Sequence, residues 1–160
     1  MTETLSERER AHGASGRRPR VLLDAALALL SLVGLGDALY LTVEHLTGRS
    51  VRCTVIAGCS EVLSSPYATL GPVPLAALGA LAYFTAFSLA TLSAFGYRGA
   101  SRLLALLVAL MCVLTLWLLY VQAFVIQHFC QYCLLSAAVT LTLTVLVCLR
   151  LWPQRHARHR

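Results

Sequence analysis

The chain is expected to be an all-α membrane protein, a four-transmembrane-helix bundle with a cysteine-bearing outer loop. Three observations predict this. First, 58% of its 160 residues are hydrophobic and only 12% are charged, whereas soluble domains are about 45–50% apolar and about 25% charged. Second, four apolar runs each approach the roughly 20 residues that a helix needs to cross a hydrocarbon core of about 30 Å. Third, the arginines lie between and outside those runs, as topology signals do. The net charge of +6 therefore speaks of membrane orientation. No basic–aromatic periodicity points to nucleic acid.

The first run covers about Val21 to His45. It is longer than the 7–15 apolar residues of a cleaved leader and has no small-x-small site at its end, so a permanent helix is expected. Asp37 lies inside it, and an intramembrane carboxylate is a functional candidate by default. A proton-relay role and a wetted, inert side chain near the interface both remain open. Asp24 beside Arg20 reads as interfacial, and Glu44 and His45 as surface residues. A link from Thr47 to Pro72, with Gly, Pro, Ser and charge, follows. The second run covers about Val73 to Phe95, the third Leu103 to Ile126 and the fourth Cys130 to Leu151. The links Gly96–Ser101 and Gln127–Phe129 are short enough to make runs two to four antiparallel neighbours.

Eleven arginines (Arg8, Arg10, Arg17, Arg18, Arg20, Arg98, Arg102, Arg150, Arg155, Arg158 and Arg160) fall on one side of this arrangement. Arg49 and Arg52 fall on the other. The positive-inside tendency puts both termini in the cytoplasm of a multi-pass cell-membrane protein, with the first and third links on the outer face. The expected organisation is a disordered cytoplasmic tail at 1–20, one four-helix domain at 21–151 and a basic tail at 152–160.

Of six cysteines, Cys53 and Cys59 then lie in the outer loop, and Cys130 and Cys133 at the outer end of the fourth run. Four thiols gather where disulfides form and persist. Cys148 is roughly 22 Å deeper at about 1.5 Å per residue, and Cys112 reads as a small buried hydrophobe. Cys130-Gln131-Tyr132-Cys133 is a C-x-x-C at a helix start. Free N–H groups there favour a thiolate, burial opposes it, and the sequence leaves the balance open. A lone C-x-x-C also fits a fixed structural disulfide or half of a zinc site; His45 and His128 are nearby, though without finger-like spacing. A c-type haem is excluded by Leu134 after Cys133. The second cysteine pair favours redox chemistry, since a relay needs one pair to meet a partner in water and another to meet an electron acceptor.

Span three offers Met111, Thr115, Leu118 and Gln122 at helical spacing, a candidate wall for an apolar ligand near the outer end. Gln122 fits an interhelical hydrogen bond equally well, and Tyr83 and Phe129 fit packing as well as a pocket. Tyr40, Trp117, Tyr120 and Trp152 read as interfacial or packing aromatics.

The stretch Gly58-Cys59-Ser60-Glu61-Val62-Leu63-Ser64-Ser65-Pro66-Tyr67, then Gly71-Pro72-Val73-Pro74, Gly79 and Tyr83, resembles the vitamin K epoxide reductase family. Cys53 upstream and Cys130-Gln131-Tyr132-Cys133 at the start of the last helix complete the resemblance, which covers roughly residues 21 to 150 and is similar to the bacterial branch. It implies a quinone-dependent disulfide oxidoreductase supporting disulfide formation. Cys130 and Cys133 would be the redox-active pair, and Cys53 and Cys59 the shuttle. Ser65 would lie by the quinone, with a short surface helix at Ser60–Ser65 capping the bundle. The acceptor would be a membrane quinone, menaquinone or ubiquinone, with Ser65, Met111, Gln122, Tyr83 and Phe129 as candidate contacts. The donor would be a separate DsbA-like thioredoxin-fold protein. Two positions depart from the animal enzymes: Leu75 stands where they carry asparagine and Ala137 where they carry tyrosine, which argues for plain quinone over an epoxide substrate. The DsbB-like family shares four helices and two cysteine pairs but places its C-x-x-C in the first outer loop. The remaining alternative is a structural or metal-binding membrane protein with a fixed outer disulfide or zinc.

Overall fold

Long apolar runs satisfy their backbone polar groups internally in lipid only as helices, and all four runs are helical. The structure is a computed structural model. It describes residues 3–48 and 58–156, with side chains over 21–48, 58–97 and 99–151. Helix α1 covers Glu3–Leu46, and its membrane stretch is Val21–Leu46. Its assignment reaches back through the polar segment where composition suggested a tail. A short helix α2 at Cys59–Leu63 stands close to the expected surface helix. A 3-10 turn at Pro66–Ala68 and a small antiparallel hairpin, β1 (Thr69–Leu70) with β2 (Val73–Pro74), follow. The hairpin turns at Gly71, which has φ 64°. Helix α3 covers Leu75–Ala94, α4 Arg98–Tyr120 and α5 Gln131–His156.

The principal contacts run α1–α3, α3–α4, α4–α5 and α5–α1, so the helices form a closed ring with α1 and α4 on one diagonal. Small side chains set the α1–α3 seam: Ala80, Ala86 and Ala90 are buried there, and a Cβ on Gly79 would make an ordinary 3.8 Å contact with Ala38. Small residues let helix backbones approach closely where lipid supplies no hydrophobic drive. Leu27, Leu104, Val108, Val139, Leu143 and Val147 fill the middle. Leu22, Phe84, Leu106 and Val113 stand exposed around the outside, as a lipid-facing surface requires.

At the end away from the C-x-x-C, Asp24 is buried and ion-paired with Arg150, whose other guanidinium nitrogen donates to Ser93 Oγ at 2.6 Å. This corrects the interfacial reading of Asp24. Arg150 comes from α5, far along the chain, and a charge in the bundle needs a partner that local sequence does not name.

Helix α4 ends in a π-helical segment, Val121–Ile126, before Gln127 closes it in the left-handed region at φ 58°. The wider turn buries Val121 and Gln122. Such π segments inside α-helices recur at functional sites.

Candidate redox site

The C-x-x-C begins where α4 and α5 are joined. The N–H of Leu134 bonds the carbonyl of Cys130 at 2.9 Å, so Cys130 caps α5 and Cys133 lies in its first turn. Cys130 has 0% exposure. Its sulfur meets the Cys133 thiol and the backbone N–H groups of Cys133 and Tyr132. Cys130 stands just ahead of the span Gln131–Leu151, and these contacts, the Cys133 thiol foremost, lower its pKa to about 7 against the opposing effect of burial. The Cys133 thiol, with the backbone N–H groups of the first turn adding to it, thus outweighs burial in the contest that the sequence left open. The backbone N–H of Cys130 donates to Oε1 of Gln122 at 3.3 Å, so the π segment fixes the turn that carries the thiol.

Cys59 reaches this place through a glycine. Gly58 has φ 141°, and a Cβ there would lie 2.9 Å from the Phe129 carbonyl oxygen and 3.2 Å from His128 Cβ. Only a residue without a side chain lets α2 start so close to the α4–α5 link. Cys59 then packs with Cys130, Leu41 and Val62 in one buried cluster, with Cys133 and Tyr132 at its margin. Cys59 is held in a disulfide, whereas Cys112, Cys130, Cys133 and Cys148 are free thiols. Cys53 lies outside the described residues, as do Arg49 and Arg52. Cys112 is only half-buried and Cys148 is exposed on the outside of α5.

Beside the C-x-x-C is a cavity of about 280 Å³, with Cys133 in its wall. Four of the expected ligand-contact residues, Ser65, Met111, Gln122 and Tyr83, line it, and so does the span-three face through Thr115 and Leu118. Asp37 lines it from α1. Leu75 and Ala137, the two positions that depart from the animal enzymes, are also in its wall and present only hydrocarbon. Phe129 is the exception. Its side chain is largely exposed and is absent from the cavity wall, because its backbone, not its ring, is what packs against Gly58.

The Tyr83 hydroxyl crosses the diagonal from α3 to α5. It lies 2.9 Å from both the carbonyl and Oγ of Ser136, and 2.8 Å from Oγ1 of Thr140. The ring lies over Gly34, where an added Cβ would come within 2.3 Å of it. At the other end of the cavity Tyr67 meets Trp117 edge to face, with centroids 6.2 Å apart, and both line the wall. His45, expected at the surface, borders the cavity too.

Sequence reasoning missed Ser136, Thr140, Tyr67, Trp117 and Gly34 as site residues. The first two were within reach: Cys133, Ser136, Ala137 and Thr140 follow helical spacing on one face of α5. Among the described residues, no three His, Cys, Asp or Glu side chains gather to hold a metal ion.

Two free thiols at a helix start, a third sulfur held in a disulfide beside them and an apolar cavity within a helical bundle define a membrane-embedded dithiol–disulfide protein. Residues 25–148, most of the chain, match the vitamin K epoxide reductase family, and the chain belongs to that family. Membership implies a membrane thiol–disulfide oxidoreductase. The family is quinone-linked in general and works with thioredoxin-like partners.

Proposed function

We propose that the chain oxidises a separate, DsbA-like thioredoxin-fold protein and passes the electrons through its two cysteine pairs to a membrane quinone, menaquinone or ubiquinone. The observation that carries this reading is the placement of Cys133 in the wall of an apolar cavity, with Cys130 and Cys59 buried together next to it. A cavity of this kind, apolar with a few convergent polar groups, suits a small ring compound. Ser65, Met111, Gln122 and Tyr83 are its proposed contacts. The arginine distribution supports both termini in the cytoplasm and the cysteine pairs on the outer face.

Each exchange is attack of a thiolate on a disulfide sulfur through a mixed disulfide. A partner thiolate opens the loop disulfide, and the partner's second thiol then displaces the loop sulfur so that the partner leaves with its own disulfide. Because Cys59 is the loop cysteine that packs with Cys130, the exchange with Cys130 falls to Cys59 and the meeting with the partner to Cys53. Cys59 attacks Cys130 and releases Cys133, and the loop pair then re-forms its own disulfide, leaving the C-x-x-C reduced. The two thiols then reduce the quinone.

The test is quinone reduction in detergent or liposomes with a reduced thioredoxin-fold donor. Wild type should turn over and Cys133→Ala should not. A folded wild type that leaves quinone oxidised, with a competent donor, would sink the relay and advance the fixed-disulfide alternative.

A further inference from the structure

Asp37 is the only acidic side chain in the cavity wall among the described residues, and it is 9% exposed. Both of its carboxyl oxygens are buried without a hydrogen-bond partner among those residues. Three other polar groups in the wall already have partners. Tyr83 is tied to Ser136 and Thr140, the Ser65 hydroxyl donates to the Val62 carbonyl at 2.7 Å, and Gln122 accepts from Cys130. A buried carboxyl group with no partner is costly, and an apolar residue at this position would remove the cost. The group that could complete its bonding is one that enters the cavity.

The chemistry proposed above needs such a group. When the dithiol reduces a quinone, an S–S bond forms between Cys130 and Cys133 and the two sulfurs give up two electrons. Both S–H bonds break, two O–H bonds form on the ring oxygens, and quinone becomes quinol. In a largely apolar cavity a titratable side chain can carry a proton without a chain of waters.

We propose that Asp37 is the proton carrier of this step, binding a ring oxygen of the quinone and moving a proton between Cys133 and that oxygen. The proposal rests on the quinone reading. The Asp37 carboxylate takes one proton from the Cys133 thiol and delivers it to the ring oxygen, ending in the state in which it began. The titratable groups facing it from the helices packed on α1 are Tyr83 on α3 and Cys133 on α5, with Cys130 just beyond; His45 borders the same cavity from α1 itself.

The experiment compares wild type, Asp37→Asn and Asp37→Glu with a short-chain ubiquinone analogue and a reduced thioredoxin-fold donor. Asp37→Asn should lower kcat for quinone reduction about 100-fold, the usual scale of a lost acid–base group. Its disulfide exchange with the donor in the absence of quinone should match wild type, and its solvent isotope effect on kcat should rise. Asp37→Glu should recover most of the activity. Independently of any variant, a time-resolved infrared spectrum of the wild type should show a protonated-carboxyl band that rises and decays while quinone is being reduced. A folded Asp37→Asn protein with wild-type kcat overturns the proposal, and so does a wild-type spectrum without that band. A wild type that reduces no quinone at all removes the underlying reading instead.

Discussion

Replacing Gly58 with alanine should separate the two sulfurs that the fold brings together. The new Cβ would stand 2.9 Å from the Phe129 carbonyl oxygen and 3.3 Å from the Phe129 nitrogen. Both are backbone atoms at the turn fixed by the Gln122–Cys130 bond, so neither can swing away as a flexible side chain would. The φ of 141° adds strain of its own, about 1–3 kcal/mol for a residue with a Cβ. At about 1.4 kcal/mol per tenfold, relief of that strain by lifting α2 lowers the docked population roughly 5- to 150-fold. The assay is formation of a Cys59–Cys130 disulfide in a Cys133→Ala background, where Cys130 has no neighbour to resolve it, followed by mass spectrometry of the linked peptides. Gly58→Ala should form the link at least about fivefold more slowly, by the low end of that range, while helix content is kept. Linkage at the parental rate would refute the claim that this glycine seats Cys59.

The same architecture sets further outcomes. Arg150→Met should destabilise the protein by about 3–5 kcal/mol, because it strands the buried Asp24 carboxylate, whereas Asp24→Leu with Arg150→Met should recover most of that loss in a denaturation series. Tyr83→Phe should cost about 1–3 kcal/mol by leaving the Ser136 and Thr140 groups unpaired, and Gly34→Ala about 1–3 kcal/mol by pushing the ring off its seat; both should also raise KM for quinone. In the reduced protein, Cys130 should be thiolate above about pH 7 and protonate as pH falls through that value. The thiolate absorbance lost in Cys130→Ala reports this transition. In Cys133→Ala the transition should move up toward the ordinary thiol value, because the Cys133 thiol is the largest stabiliser of the charge.

The spans were legible because hydrophobicity accumulates over about 20 residues and needs no tertiary information. The ends agree closely: the fourth span was read from Cys130 and begins at Gln131. The Met111–Gln122 face was legible for the same reason, since helical spacing alone puts those residues on one side. Gly58 was quoted only as part of a family motif; its steric reason depends on Phe129, a contact between segments far apart in the chain. The π segment depends on the turn it must close onto Cys130. Asp24 was misread because its partner is at the far end of the chain. Phe129 fitted packing as well as a pocket in the sequence; its backbone packs against Gly58 and its ring is absent from the cavity wall.

The Asp24–Arg150 pair joins the first span to the last. During synthesis α1 enters the bilayer with an acidic group near its end, and the cation that neutralises it arrives only with α5. Until α5 arrives, the nascent bundle holds an unmatched charge that discourages premature closure of the ring. A chain truncated before Arg150 should therefore insert its early helices yet leave Asp24 unmatched, and a pulse-chase comparison with the full chain should show it degraded faster.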